Sequence, residues 1–465
     1  MKFRPKFSLI ALLGVVGIWS FASAAVADKQ AETKPPMRLL AQSDGTGSPV
    51  SRDALFGDDK PAADKPQPAS AWTGFIQGEA ARAYRDPAHW SKARLRLDLT
   101  RRGQFSEHVK WRIGGRFDYD AAYDRSDFYP QEVRDDQRRE FALRENYLGI
   151  SEGNWEITLG RQHVVWGEMV GLFFADVVSA KDLREFILPE FGQLRIPQWA
   201  ARVEYFMKDM KAELLWIPAP SFDEIGKPGA DFYPYPLPVT AAYLGEAHPG
   251  RKLANTNYGF RLSQLKNGWD VSGFYYHSVD ASPTFYRVSG PNAPLVFQPR
   301  HDKIDQVGGT FSKDLGFSVL RGELVYTDGR KFNVTRLTQA DGLVGQNTLD
   351  YALGLDFTLS GDTRLNLQFF QRVFFAHDPD IISDKVESGG SILLSSKLAS
   401  SVEAQALLIH SLNRSDWLFR PQLTWNFEKN WRLMAGADIF GGPPTGLFGR
   451  YNNNDRLYTE IRYSF

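Results

Sequence analysis

Lys92-Ala93-Arg94-Leu95-Arg96-Leu97-Asp98-Leu99 alternates without a break between charged and apolar side chains. Successive side chains of an extended strand point to opposite faces, so this stretch describes a ribbon with one ionic and one greasy face. The next segment repeats the design, with Val109, Trp111, Ile113, Phe117 and Tyr119 opposing Lys110, Arg112, Arg116 and Asp118. It returns far downstream, where Leu349, Tyr351, Leu353, Leu355 and Phe357 oppose Asp350, Ala352, Gly354 and Asp356. Near the end Trp431, Leu433, Ala435, Ala437 and Ile439 oppose Arg432, Gly436 and Asp438.

A soluble barrel would turn the greasy face inward, whereas a membrane barrel turns it to lipid and lines its lumen with the polar face. Three features favour the membrane. Trp72, Trp90, Trp155, Trp199, Trp216, Trp269, Trp417, Trp425 and Trp431 fall near segment ends, as an interfacial girdle requires. Connections alternate between short turns and mostly long loops, the asymmetry of bacterial outer-membrane barrels. The sequence ends on a strand-like run in which Leu457, Thr459, Ile461, Tyr463 and Phe465 share one face. The pattern predicts strands over 72–84, 90–102, 107–119, 139–151, 154–162, 198–208, 210–217, 256–265, 268–278, 301–313, 316–328, 346–359, 363–376, 388–398, 401–412, 416–428, 431–440 and 455–465. The fold class is therefore all-β, a transmembrane antiparallel barrel of about eighteen strands, with sixteen the alternative count.

Composition agrees. The 465 residues carry 55 basic and 55 acidic side chains, so no net field draws the chain to nucleic acid. The absence of Cys excludes thiolate metal sites and cysteine nucleophiles. Beyond the first thirty residues no apolar run approaches the roughly 18 to 20 residues of a membrane helix. Lys2, Arg4 and Lys6, the apolar stretch from Leu9 to Phe21, and the small residues Ala22-Ser23-Ala24 and Ala25-Val26-Ala27 read as a cleavable secretory signal over 1–27. Residues 28–70, rich in Pro, Ala, Asp and Lys, read as a flexible periplasmic tail, and 71–465 as the barrel.

Residues 143–217 contain Leu-Arg-Glu-Asn-Tyr-Leu-Gly-Ile, then Leu-Gly-Arg-Gln-His-Val-Val-Trp-Gly-Glu (159–168), Asp-Val-Val-Ser-Ala-Lys-Asp-Leu-Arg-Glu-Phe-Ile-Leu (176–188), Arg-Ile-Pro-Gln-Trp (195–199) and Leu-Leu-Trp-Ile-Pro (214–218). This region resembles the signature of a family of proteobacterial outer-membrane barrels known only as a domain of unknown function. The resemblance implies an outer-membrane channel working beside an inner-membrane exporter and periplasmic lipoproteins, with no established substrate. The terminal Phe465 resembles the signal read by the barrel-assembly machinery. Outer-membrane lipid and lipopolysaccharide are the surroundings such a barrel implies.

The connection from His163 to Pro197 is too apolar for a solvated loop, holding Trp166, Phe173, Phe174 and Phe186 together with aliphatic side chains. Exposing that area would cost about 25 cal/mol per Å², so the segment is expected to fold into the barrel. There it forms either an apolar constriction or a plug that stabilises the wall. Asp182 is expected to cap a short helix that carries Phe186 and Ile187 and ends at Pro189. Lys92, Arg94, Arg96, Lys110, Arg112 and Arg116 belong to the lumen face of two strands and Asp350 and Asp356 to that of another. They either set a transverse field across the lumen or pair in ladders along the wall.

Enzymatic signals are poor. Gly149-Ile150-Ser151-Glu152-Gly153 fits G-x-S-x-G, but in a strand-turn-strand context without the helix that exposes a nucleophile. The eight His show no metal-ligand spacing, and acidic runs such as Asp118, Asp120, Asp124 and Asp127 read as solvated rather than Ca²⁺-binding. No cofactor and no catalytic residue is expected. The leading expectation is a channel for a small amphiphilic or hydrophobic molecule, gated by 163–197. The alternatives are a general polar-solute porin and an envelope-assembly barrel coupled to a periplasmic or inner-membrane partner.

Overall fold

A computed structural model describes residues 72–465 apart from 126, 168, 170–173, 235–240, 291–292 and 361. The expected signal and tail, and Phe173, lie outside the described residues. Eighteen strands form one sheet. They are β1 Trp72–Ala83, β2 His89–Gln104, β3 Val109–Asp120, β4 Arg139–Glu152, β5 Trp155–Gln162, β6 Gln198–Met207, β7 Met210–Ala219, β8 Asn257–Lys266 and β9 Trp269–Val279. The second half comprises β10 Lys303–Asp314, β11 Val319–Asp328, β12 Asn347–Leu359, β13 Thr363–Phe375, β14 Val386–Ala399, β15 Val402–Ser411, β16 Trp417–Glu428, β17 Trp431–Gly441 and β18 Arg456–Ser464.

Each strand pairs antiparallel with its sequence neighbour, and β18 returns to β1 in the register Gln77↔Arg462 and Ala80↔Thr459. Gly74 and Phe465 exchange backbone hydrogen bonds of 2.9 Å across this seam. The sheet is thus a closed barrel, and closure leaves no edge strand whose amides would lie unpaired in hydrocarbon.

The burial pattern is inverted relative to a soluble protein. Leu95, Leu353 and Leu457 are exposed, at 54%, 44% and 60%, while Arg96, Asp350 and Arg456 on the same strands are buried, at 3%, 4% and 3%. Water does not tolerate an unbroken apolar belt with ions inside it, and lipid requires one. Exposed Trp72, Trp155, Trp269 and Trp425 lie toward the end of the barrel carrying the short turns, and exposed Trp90, Trp199 and Trp216 toward the other. The two girdles fall where amphipathic rings are most stable.

The turns at 153–154, 208–209, 267–268, 400–401 and 429–430 are tight and lie at the end shared by Trp72 and Phe465. The opposite end carries 121–138, 163–197, 220–256, 280–302, 329–346 and 442–455. There the connections 84–88 and 412–416 are short as well.

Since Leu353 sits at the middle of β12 on the lipid face, Leu353→Arg is expected to lower stability by about 2–4 kcal/mol. Urea titration in lipid vesicles, read by the mobility of unheated protein on gels, checks it. An unchanged midpoint would contradict the lipid-facing assignment.

Candidate functional site

The connection 163–197 leaves β5 and crosses the interior of the barrel instead of the solvent outside it. Its first anchor is Trp166, buried against Phe274 and Tyr276 of β9 with ring centroids at 5.2 and 5.6 Å. The indole N–H donates to Glu213 on β7 at 2.9 Å. The close approach depends on Gly259 of β8, where a Cβ would stand 2.7 Å from the indole. Val164, Ala175, Val178, Leu215, Ile217 and Val325 complete this apolar cluster. Burying an indole of roughly 150–250 Å² contributes on the order of 5 kcal/mol.

A carboxylate holds the next turn. Glu323, buried on β11, accepts the backbone N–H groups of Met169 at 2.5 Å and Ala175 at 2.9 Å. Met169 itself reaches β12, where a Cβ on Gly354 would lie 2.9 Å from its methyl. Phe174 points to Phe370 on β13, centroids 6.0 Å apart. The chain then doubles back, with Ala180–Lys181 pairing antiparallel to Arg195–Ile196. Arg195 closes this small hairpin on Asp176 at 2.7 Å.

The returning half is held by ions. Glu185 meets Lys92 at 2.5 Å, Arg94 at 2.9 Å and Arg456 at 3.3 Å. Glu190 meets Arg432 at 2.9 Å and Arg462 at 3.2 Å. Arg420 donates to the Leu188 carbonyl at 2.7 Å, and Arg144 to the carbonyls of Gly192 and Arg195 at 2.6 and 3.1 Å. The loop therefore bonds walls on several sides of the barrel at once.

The expected helix at Asp182 does not form. Residues 184–187 make a turn in which Phe186 donates its N–H to the Leu183 carbonyl at 2.8 Å and takes a left-handed φ of 55°. That conformation ends helical geometry. It aims the Phe186 ring at Phe448 and Tyr451, 5.9 and 5.0 Å away. Asp182 instead bridges to Glu224 through the backbone and accepts from Arg184 at 2.7 Å. Among the described residues of this connection the one helix is Phe191–Leu194.

The remaining sequence-predicted residues other than Lys110 sit beside counter-ions. Lys92 and Arg94 both bind Glu79 at 2.7 Å as well as Glu185. Arg96 binds Asp118 at 2.7 Å and the side-chain carbonyl of Gln193 in the loop. Arg116 binds Asp118 at 3.1 Å and Glu140 at 3.3 Å, and Arg112 pairs with Glu145. Lys110, exposed, lines a cavity of about 250 Å³ with Arg102, Glu156, His163 and Arg202. Asp350 binds Arg372 at 2.6 Å, and Asp356 binds Arg321 at 2.7 Å. Ser151 lies on β4 just before a tight turn, with no helix after it.

Gaps of about 40 and 70 Å³ lie beside the returning half of the loop. Lys92 and Arg94 border both of them, with Arg184 and Asp182 added in the first and Arg456, Asp438 and Glu460 in the second. Sequence reading missed Glu213, Glu323, Glu185, Glu190 and Arg456. Only the polar phase of the strand alternation flagged the wall members, and nothing local flagged the loop carboxylates.

The family described as protein of unknown function (DUF1302) matches residues 88–363, which contain the whole in-folded loop. The chain belongs to this family. No curated protein matches it. Among solved structures it is similar to OccAB1 of Acinetobacter baumannii, with TM-score 0.52 and 10% identity over 85% of this chain and 96% of that one. OccAB4 of the same organism gives 0.51 and 9% over 86% and 99%, and OccD3 (OpdP) of Pseudomonas aeruginosa 0.50 and 8% over 90% and 99%. At such identities the likeness concerns the fold, that of outer-membrane porin-like barrels.

Two measurements test the docking. Glu323→Ala leaves the N–H groups of Met169 and Ala175 without this acceptor, at a cost of about 1–3 kcal/mol each. Hydrogen exchange across 174–180 should then accelerate while the wall strands stay protected. Glu185 gives the pH dependence: burial alone raises its carboxyl, but Lys92, Arg94 and Arg456 outweigh burial and hold it well below the ordinary glutamate range. A depressed carboxyl contributes stability that is present above its unfolded value of about 4.3 and lost only as pH falls through the lower folded value. Protection over 183–195, corrected for intrinsic rates, should therefore persist from pH 7 to 4.5. Loss of protection within that window would contradict the ion-pair anchor.

Proposed function

We propose that this protein is an outer-membrane channel for small polar solutes, with the 163–197 loop as a constriction that regulates passage. One observation carries the choice of solute: Trp166 and Phe186 of the loop are spent on the wall and on a neighbouring connection, while charged side chains are prominent among the groups that border the gaps. Trp166 lies in the cluster on β7–β9 and Phe186 against Phe448 and Tyr451. Lys92, Arg94, Asp182, Arg184, Arg456 and Glu460 border the gaps. A hydrophobic solute would have to desolvate these charges with nothing to offer them, whereas a polar one exchanges hydrogen bonds.

Gaps of about 40 and 70 Å³ hold a few waters. Passage of a solute therefore calls for movement of the returning half of the loop. Acidic and basic groups interleave along the lumen, so selection by sign is weak and selection by size and hydrogen bonding dominates. In the same reading the protein reaches the outer membrane through a cleaved signal, and the assembly machinery recognises Phe465. Residues 28–70 then supply the segment through which an inner-membrane exporter or a periplasmic lipoprotein would couple.

Single-channel recording in planar bilayers tests the proposal. The wild type should give small, flickering currents in salt, and deletion of 174–194 should raise the current several-fold. Proteoliposomes should swell in amino-acid-sized polar solutes faster than protein-free vesicles. A deletion variant that folds yet conducts like the wild type, or swelling indistinguishable from empty vesicles, would overturn the constriction role.

A further inference from the structure

Away from the lumen, Glu246, His248 and His301 bring one ligand atom each to within 4.8 Å of the others. The backbone explains the convergence. Ala247 bridges in parallel to Arg300 and donates its N–H to the Pro299 carbonyl at 2.9 Å, fixing segment 246–248 beside 299–301. Residues two apart on an extended segment share a face, so Glu246 and His248 both turn toward His301. Phe222 packs over both imidazoles, with centroids at 4.0 Å from His301 and 5.0 Å from His248.

His301 has a fully buried side chain. Its Nδ1 lies 2.8 Å from the Asp280 carbonyl oxygen, an acceptor only, so Nδ1 carries a proton and donates it. Its Nε2 lies 2.7 Å from a Glu246 carboxylate oxygen. Two acceptors therefore flank one ring. Either the ring holds two protons, or Nε2 gives its lone pair to a cation that the carboxylate also binds. A carbonyl orienting the far nitrogen is the usual outer-shell support of a metal-binding histidine. His248 Nδ1, 3.7 Å from the same Glu246 oxygen, supplies a third donor that a simple ion pair does not need.

We propose that Glu246, His248 and His301 bind one zinc-class divalent cation, with water in the remaining position. Ligand bonds of about 2.0–2.2 Å in a tetrahedron place donors roughly 3.3 Å apart. The two distances to Glu246, 2.7 and 3.7 Å, bracket that value, and all three donors lie within 4.8 Å of one another, so modest side-chain shifts would seat the ion. Two imidazoles and one carboxylate suit zinc, copper or nickel over the hard cations magnesium and calcium. The bound ion ties the 220–256 connection to the start of β10. Among the described residues the other comparable group, Glu140, Asp182 and Glu224, already surrounds the Arg184 guanidinium.

The test uses the mature, untagged protein in detergent, stripped with EDTA, then titrated with zinc by calorimetry and assayed by mass spectrometry for retained metal. One zinc per chain is expected, with magnesium not competing. Glu246→Gln and His248→Ala should each weaken binding by at least roughly tenfold. His248 is half exposed, so its replacement leaves folding intact, and unheated gel mobility verifies this for every variant. No retained zinc, or equal binding by a folded His248→Ala variant, would overturn the site and leave an imidazolium–carboxylate pair in its place.

Discussion

Every amide that enters hydrocarbon must find its partner within the protein, and the rest of this structure follows from that requirement. It forces the sheet to close, with β18 hydrogen-bonded to β1 through Gln77↔Arg462 and Ala80↔Thr459. Closure turns one phase of each strand toward lipid and the other toward an enclosed space. The enclosed phase carries Lys92, Arg94, Arg96, Arg116, Asp350, Asp438 and Arg456, and burial makes unpaired charges expensive. A barrel of this circumference does not bring opposite walls together, so wall charges pair with the adjacent strand or with something that enters the lumen. Asp350 with Arg372 shows the first solution, and Glu185 and Glu190 the second.

The in-folded loop is thus as much a consequence of the wall as an addition to it. Glu185 touches cations from β2 and β18, and Glu190 cations from β17 and β18. Removing one partner of such a buried pair typically costs 3–5 kcal/mol because the other charge is left behind. The leading half is anchored differently, by Trp166 in an apolar cluster and by two amides on Glu323. The leading half is therefore fixed mainly by packing, and the returning half by ion pairs together with Phe186, Ile187 and Leu188 in a second apolar cluster. That division sets the ion-paired residues 182–193 apart from the leading half.

The strands were legible because their signal is local. Period-two alternation in 92–99 or 349–357 needs no knowledge of a partner, and the eighteen expected segments correspond to the eighteen strands with ends displaced by a few residues. The infolding of 163–197 was legible for a similar reason, since its apolar content excludes a solvated loop. Its path was not. Arg456 lies 271 positions from Glu185, and Arg432 lies 242 from Glu190, separations over which no sequence window carries information. The helix expected at Asp182 failed because the Phe186 ring is drawn to Phe448 and Tyr451, and a left-handed φ delivers it there.

The same separation explains why composition alone does not describe the lumen. Counting side chains in 163–197 finds an aromatic, aliphatic segment, and an apolar segment inside a pore suggests an apolar path. Yet an apolar side chain in a water-filled space is stabilised by leaving it, and Trp166 and Val178 have each done so against the wall. The gaps are faced by Lys92, Arg94, Arg184 and Arg456, held there by the carboxylates they pair with, with Leu188, Pro189 and Met434 between them. Much of the loop's apolar composition is spent on fastening it, so composition alone does not name the side chains that face the gaps.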